Sequence, residues 1–288
     1  MNFKIVTDST ANLSAEYFLE HGISVVTLFY LLDGKEYPAF NPNNPNTLDQ
    51  FYNSLKQRPK TSTSCANENS YYEVFEKAYN DGQEILYIGF SSGVSATYRS
   101  AEIAQKRLLE KYPDAKIYCV DTLTGSFGQG HFVQKAVEMR ANGKTAEDCY
   151  NYVLEQRLCM RTFVTVDDLY FLYQGGRIPS LSYRIGSLVK IKPIIEVNTE
   201  GKLVAVNKVL SRKFSLTAMF NAVKDNVTDK DVVYIAHGDC LQDANALADK
   251  LKAQLQIKNV VVGKLEAVIG AHTGVGSIAI FFLGNKRT

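Results

Sequence analysis

A recurring order runs through the first half of the chain and limits the folds open to it: an apolar run, a polar tip, then a helix-compatible stretch. Phe3-to-Val6 ends at Thr7-Asp8-Ser9-Thr10, after which Ser14 can cap a helix that stops near His21-Gly22. Glu84-to-Phe90 runs into Ser91-Ser92-Gly93 and then a helix to about Tyr112. Lys116-to-Val120 ends at Asp121-Thr122 and leads into a helix towards Ala141. Ile23-to-Leu32 reads as a further β-branched strand closed by the turn Asp33-Gly34, and Thr47-to-Lys56 as a helix after the Asn/Pro-rich loop Asn41-to-Asn46. This is the order of a parallel sheet with helical crossovers, whose ligands lie beyond the carboxyl ends of its strands. Asp8-Ser9, Ser91-Ser92 and Asp121-Thr122 would share that edge.

Past residue 160 the order changes. Arg161-to-Val166, Ile194-to-Val197, Leu203-to-Leu210, Val232-to-Ala236, Asn259-to-Leu265 and Ser277-to-Leu283 are strand candidates. Asn198-to-Lys202 reads as a hairpin turn with Gly201 supplying a positive φ. Helices at Phe214-to-Asn226 and Gln242-to-Leu255 lie between the later strands. The expectation is the α/β class with two α/β domains. The first, 1–160, carries a mainly parallel sheet with helical crossovers, and the second, 161–288, a mixed sheet with helices. No proline- or glycine-rich linker marks the boundary, so the halves are expected to pack closely.

Composition removes several function classes. A formal charge of +2 provides no concentrated basic face, which argues against a nucleic acid partner. The five cysteines are odd in number and show no CxxC spacing, so neither a disulfide framework nor a zinc site is expected, and a reducing cytoplasm is the natural compartment. The longest apolar runs, such as Ile278-to-Leu283, fall far short of the ~20 residues of a membrane helix. Met1-to-Val6 reads as a strand rather than a signal peptide. Transient contact with a membrane surface stays open.

Nucleotide motifs give little. There is no P-loop, and Gly274-Val275-Gly276-Ser277-Ile278-Ala279, a loose GxGxxA, is followed by strand-like Phe281-Phe282 with no room for a βαβ unit. Gly89-Phe90-Ser91-Ser92-Gly93 has the GxSxG form of a nucleophile elbow, and Asp121 and His272 follow in the order Ser, Asp, His. A serine hydrolase (esterase) using Ser91 is therefore the alternative reading. Against it stand hydroxyl clusters with no role in a triad: Thr61-Ser62-Thr63-Ser64, Ser91-Ser92 and Ser95, read as polar loops. Together they could supply neutral donors to an anion. His272-Thr273-Gly274-Val275-Gly276 follows strand-like Val268-Ile269 and sets a histidine among glycines that admit a ligand to the backbone. Gly175-Gly176-Arg177-Ile178 reads as the cap of a helix over Leu169-to-Gln174, with an arginine able to pair with a carboxylate.

These motifs, in this order, resemble the DegV family of fatty-acid-binding proteins, which serve as the lipid-binding component of bacterial fatty acid kinase. The matching segments are Ile5-to-Thr10, Thr61-Ser62, Ser91-to-Tyr98, Asp121-Thr122, Val166-to-Leu169, Gly175-to-Ile178, Lys192-Pro193-Ile194 and His272-to-Gly276. The resemblance implies an acyl chain in an apolar tunnel at the domain junction, bound without covalent attachment. It implies a carboxyl group held near the surface by Thr61, Ser62, Ser91 and Ser92, with Ser95, His272 and Thr273 beside them and Arg177 in support. Asp8 and Asp121 would orient loops. A fatty acid kinase catalytic subunit would bring ATP and phosphorylate the carboxyl group, so this chain needs no catalytic residue, cofactor or metal of its own. The sequence departs from the family in two places. Ser64-Cys65 follows Thr63 where a proline is usual, and Leu210 stands where an arginine is usual, with Arg212 or Lys213 nearby to replace it.

Overall fold

The computed structural model describes residues 3–41, 47–178 and 191–288; of the expected Asn/Pro-rich loop, residues 42–46 lie outside this set. In chain order the first part contains β1 (Phe3–Asp8), α1 (Ala15–Glu20), β2 (Ser24–Val26), β3 (Phe29–Leu32), β4 (Lys35–Pro38), α2 (Thr47–Leu55) and β5 (Thr61–Ser64). It continues with α3 (Glu68–Asn80), β6 (Glu84–Gly89), α4 (Thr97–Lys111), β7 (Ile117–Asp121), α5 (Ser126–Ala141) and α6 (Ala146–Gln156). The second part contains β8 (Met160–Thr165), α7 (Tyr170–Gly175), β9 (Lys192–Val197), β10 (Leu203–Val209), α8 (Arg212–Asn226), β11 (Val232–His237), α9 (Leu241–Leu255), β12 (Asn259–Lys264), α10 (Ala267–Thr273) and β13 (Ile278–Leu283).

The described residues form three sheets. The first is parallel throughout, in the order β2-β1-β6-β7. The largest is mixed, in the order β10-β9-β8-β13-β11-β12, with β11 and β12 its parallel pair. A small antiparallel sheet, β4-β3-β5, stands apart. Two sequence expectations change here. Ile23-to-Leu32 is two strands in two sheets, and the hydroxyl run Thr61-to-Ser64 is a strand rather than a loop, paired with β3.

Side-chain alternation explains the layering. On the parallel sheet, Ile85 and Tyr87 pack with Phe75 of α3 and Ala104 of α4, while Leu86 and Ile88 face Phe132 and Val133 of α5. On the mixed sheet, Ile280 and Phe282 pack against Met219 of α8 and Leu251 of α9, while Ala279 and Phe281 turn back towards α5. Helix α5 is thus shared by both sheets. Gly130 lets it approach the β1 tip, because a Cβ there would lie 2.4 Å from the Ala11 carbonyl oxygen. The protein is a two-domain mixed α/β fold whose halves share one apolar core.

Candidate ligand cavity

The parallel sheet brings its polar tips to one edge, and Asp8 ties them together. Its carboxylate, fully buried, accepts from the Thr10 amide (3.1 Å) and hydroxyl (2.5 Å), from the Tyr87 hydroxyl (2.9 Å) and from the Phe90 amide (3.1 Å). Asp121 accepts from the amides of Ser92 (3.3 Å) and Leu123 (2.9 Å). Both carboxylates therefore satisfy backbone donors of the loops after β1, β6 and β7, which fixes those loops in place.

Beyond this edge lie two adjoining cavities. The outer, of about 280 Å³, is bordered by Thr63, Ser95, Arg177 and His272, with Phe90 and Val268. The inner, of about 70 Å³, reaches between the sheets to Val164, Ile195, Val197, Ala279 and Phe281. Phe90, Val94, Leu172, Leu203, Ile269 and Thr273 line both, so the outer space continues into the inner one. The polar end opens among exposed Cys65, Ala96 and Arg177; the apolar end is enclosed by core strands.

The hydroxyls divide by strand geometry. On β5, Thr61 and Thr63 share one face. Thr61 is buried, donates to the Ala271 carbonyl at 2.9 Å and lies 3.3 Å from the Gln174 side-chain oxygen, so it fastens β5 to α10 and α7. Thr63 meets His272 Nε2 at 2.8 Å at the cavity. Ser62 points the other way, is exposed and borders neither cavity. Ser91, at the β6 tip, borders the inner cavity and donates to the Gly201 carbonyl at 2.8 Å, across the hairpin that Gly201 turns with a φ of 73°. Ser92 is exposed and borders neither cavity. Ser95 borders the outer cavity and pairs with the Thr97 hydroxyl at 2.8 Å. Thr273, buried where the cavities meet, donates to the Ile269 carbonyl at 3.2 Å.

His272 sits in the last turn of α10. The β-branched pair before it suggests a strand, but Glu266 caps a helix there, accepting from the amides of Val268 (2.6 Å) and Ile269 (2.7 Å). Asn12, far away in sequence, accepts from the Glu266 amide at 2.7 Å. Burial, then the Arg177 guanidinium, holds the imidazole down to about 3, so it stays neutral near pH 7. Its Nδ1 is buried without a hydrogen-bond partner beside Gly175, where a Cβ would lie 2.3 Å away. Gly176 caps α7 with a φ of 63°, as expected, and Arg177 follows at the cavity mouth. Arg177 donates to the Gly175 carbonyl at 2.5 Å and, more weakly, to the Val94 carbonyl at 3.5 Å.

The esterase constellation does not assemble. Ser91 donates to a carbonyl, Asp121 accepts from amides, and His272 meets Thr63 rather than Ser91. The triad needs hydrogen bonds from nucleophile to base and from base to carboxylate, and neither exists here. Gly274 and Gly276, with φ of 74° and 80°, turn the chain from α10 into β13, so the GxGxxA match opens no helix. Among the described residues, no group of three or more His, Cys, Asp or Glu is placed to hold a metal, and no helix is long and apolar enough to cross a membrane.

Sequence reasoning misses Thr63 as an individual site residue. Its signal is present, since in a strand a residue two places from buried Thr61 faces the same way. Leu172, Leu203 and Val94, which line both cavities, carry no signal beyond being apolar. Leu210 is 70% exposed, and Arg212 pairs with Asp243 at 2.8 Å.

Residues 2–285 match the model of the DegV family, described as an uncharacterised protein family, COG1307. A DegV domain-containing protein of Clostridium perfringens is 38% identical over 287 residues, covering 99% of this chain and 98% of the relative. Among solved structures, the fatty-acid-binding DegV family protein of Streptococcus agalactiae superposes with a TM-score of 0.86 at 27% identity, covering 98% of each chain. The fatty-acid-binding DegV of Bacillus subtilis superposes with a TM-score of 0.81 at 26% identity over 98% of each chain. The family match spans nearly the whole sequence, and the chain belongs to the DegV family.

Proposed function

We propose that this protein binds a long-chain fatty acid non-covalently, with the carboxyl group at the outer mouth and the acyl chain running through the outer cavity into the inner one, and presents that group to a fatty acid kinase catalytic subunit. The observation that carries the reading is the continuity of a polar mouth (Thr63, Ser95, Arg177 and His272) with an apolar space between two sheets. Burying methylenes at about 0.8 kcal/mol each supplies most of the affinity, so the mouth need only position the carboxylate. A neutral imidazole, a hydroxyl and one guanidinium are suited to this, because Arg177 offsets the charge while Thr63, held by His272 Nε2, offers a hydrogen bond. Of the expected ligand-binding hydroxyls, Ser95 and Thr273 border the outer cavity and Ser91 the inner. Thr61 acts by holding β5 against α10, and Thr63 takes the place at the mouth that the sequence assigns to Thr61. The fatty acids bound by the relatives from Streptococcus agalactiae and Bacillus subtilis support the same ligand class.

The division near residue 160 belongs to this reading, because it separates the parallel sheet that supplies the loops from the mixed sheet that supplies the apolar wall. All five cysteines are free, which suits work in a reducing cytoplasm. Phosphoryl transfer belongs to the partner, and exposed Leu210 and Lys213 mark the surface where that partner's contact is to be sought.

Mass spectrometry of lipid released from the denatured, purified protein tests the ligand, and repeated preparations that neither release nor take up an acyl chain would overturn it. His272→Ala, loaded with fatty acid, is expected to retain lipid but lose acyl-phosphate formation with a cognate kinase. An empty variant that supports normal turnover once loaded would reverse that assignment.

A further inference from the structure

Arg287, just beyond β13, is 4% exposed, and among the described residues its guanidinium is met by carbonyls rather than by a carboxylate. Nη1 donates to the Leu123 carbonyl at 3.0 Å and to the Asn198 carbonyl at 2.8 Å, and Nη2 to the Arg157 carbonyl at 2.5 Å. These acceptors belong to three separate places: the loop after β7, the β9–β10 hairpin and the C-terminal cap of α6. Burial, then the Arg161 guanidinium, holds Arg287 down to about 10, which leaves it charged near pH 7. A buried charge is costly to keep, and what this one fixes is the relative placement of the segments it joins.

Two of those segments are walls of the inner cavity. Thr124 and Gly125 follow Leu123 in the loop, while Val197, Gly201 and Leu203 belong to the hairpin that holds Asn198. The hairpin sits hard against the parallel-sheet edge: a Cβ on Gly93 would lie 2.4 Å from the Glu200 carbonyl oxygen, and one on Gly201 3.2 Å from the Leu123 Cα. Ser91 ties it there through the Gly201 carbonyl. Its β10 arm, by contrast, is an edge strand, exposed from Val204 to Lys208 and paired with β9 alone among the described residues. Ties across to the parallel sheet therefore hold this wall shut. We propose that Arg287 is a positioning residue for the acyl chain: by clamping the β9–β10 hairpin to the loop after β7, it keeps the inner cavity closed around the chain and slows its release. The inference rests on the fatty-acid reading above and adds to it a group that touches no ligand. Arginine suits the task because its planar fork spans several carbonyls at once, whereas a lysine offers a compact point charge. Leu123 and Asn198 share Nη1, so loss of the guanidinium frees both sides of the wall together.

The test is the rate at which the whole protein releases stearic acid and decanoic acid to a fluorescent acceptor, with the urea midpoint of each variant measured alongside. Arg287→Ala is expected to release stearic acid about tenfold faster than wild type. Decanoic acid, whose shorter chain reaches less far into the inner cavity, should change much less. Arg287→Lys keeps the charge and most of the stem but cannot span the three carbonyls, so it should fold and still release stearic acid faster, by a smaller factor; it carries the test where the alanine variant does not fold. An unchanged stearic acid rate in the folded variants would overturn the proposal. Equal acceleration for both acids would overturn it too, because that marks a general loosening of the fold rather than an opened inner wall. If wild type takes up neither acid, the fatty-acid reading itself fails, and this inference with it.

Discussion

The two large sheets meet the cavity in opposite ways. The parallel sheet offers its edge: the tips of β6 and β7 lead into Phe90-Ser91 and Thr124-Gly125, at the cavity wall. The mixed sheet offers a face, with Val164 and Ala279 on neighbouring strands turned inward. The difference follows from strand direction. Parallel strands all end on one side, so their polar tips gather there. Antiparallel neighbours end on opposite sides, so what such a sheet can make continuous is the alternate-residue surface of its face. One sheet therefore organises hydrogen bonds and the other supplies apolar area.

Releasing the edge puts this contrast under the most severe strain. Asp8→Ala strips one carboxylate from four donors of the β1 and β6 tips, and is expected to lower stability by about 3 kcal/mol or more. A urea midpoint unchanged at constant slope would show that the tips hold themselves.

Helix α10 joins the two regions and carries opposed titrations at its ends. Burial pushes the Glu266 carboxyl up from 4.5 to about 8, so the unfolded chain ionises first and stability is lost as pH rises through that window. His272 is held down from 6.5 to about 3, so the unfolded chain binds the proton first and stability is lost as pH falls through that one. Glu266→Gln should therefore gain stability relative to wild type, by about 3 to 4 kcal/mol, between pH 5 and pH 8 as measured by urea unfolding at each pH. A constant difference across that range would assign Glu266 no titration on folding.

On the mixed-sheet side, Ala279→Leu adds about three carbons to the inner wall and displaces a similar length of ligand. Binding of a long-chain acid should weaken by about 2 kcal/mol, roughly thirtyfold, with a much smaller loss for a short-chain acid. Equal losses for both lengths would place the chain's end elsewhere.

The smallest effects lie on β5. Thr63→Val removes the hydroxyl facing His272 and is expected to weaken fatty-acid binding by about 1 kcal/mol, whereas Ser62→Ala on the opposite face should change it by less than about 0.5 kcal/mol. A titration in which Ser62→Ala costs more than Thr63→Val would invert the assignment of the two faces.

Much of the fold is legible in the sequence where local signals and packing agree. The β1, β6 and β7 runs are apolar enough to be buried on both faces, and their polar tips and following helix caps mark the edge. The cap at Gly176 and the turn at Gly201 are legible because each needs a positive φ. Two elements mislead for one reason, which is that distant partners decide them. Thr61-to-Ser64 is all small hydroxyl residues and reads as loop, but β3 offers it a ladder. Val268-Ile269 is β-branched and reads as strand, but the Glu266 cap, itself held by Asn12 through 254 residues of chain, makes it helix.

Periodicity and chain order alone specify the α/β class, the polar edge of the parallel sheet and, through the ordered motifs, the family. These properties are written along the chain and need no knowledge of what packs against what. Which hydroxyl residues border the cavity is different: Thr63 rather than Ser62, and Ser91 and Ser95 rather than Ser92, are settled by packing in three dimensions. Similar side chains one residue apart on a strand or turn point in opposite directions, and what they meet there is set by elements distant in the chain.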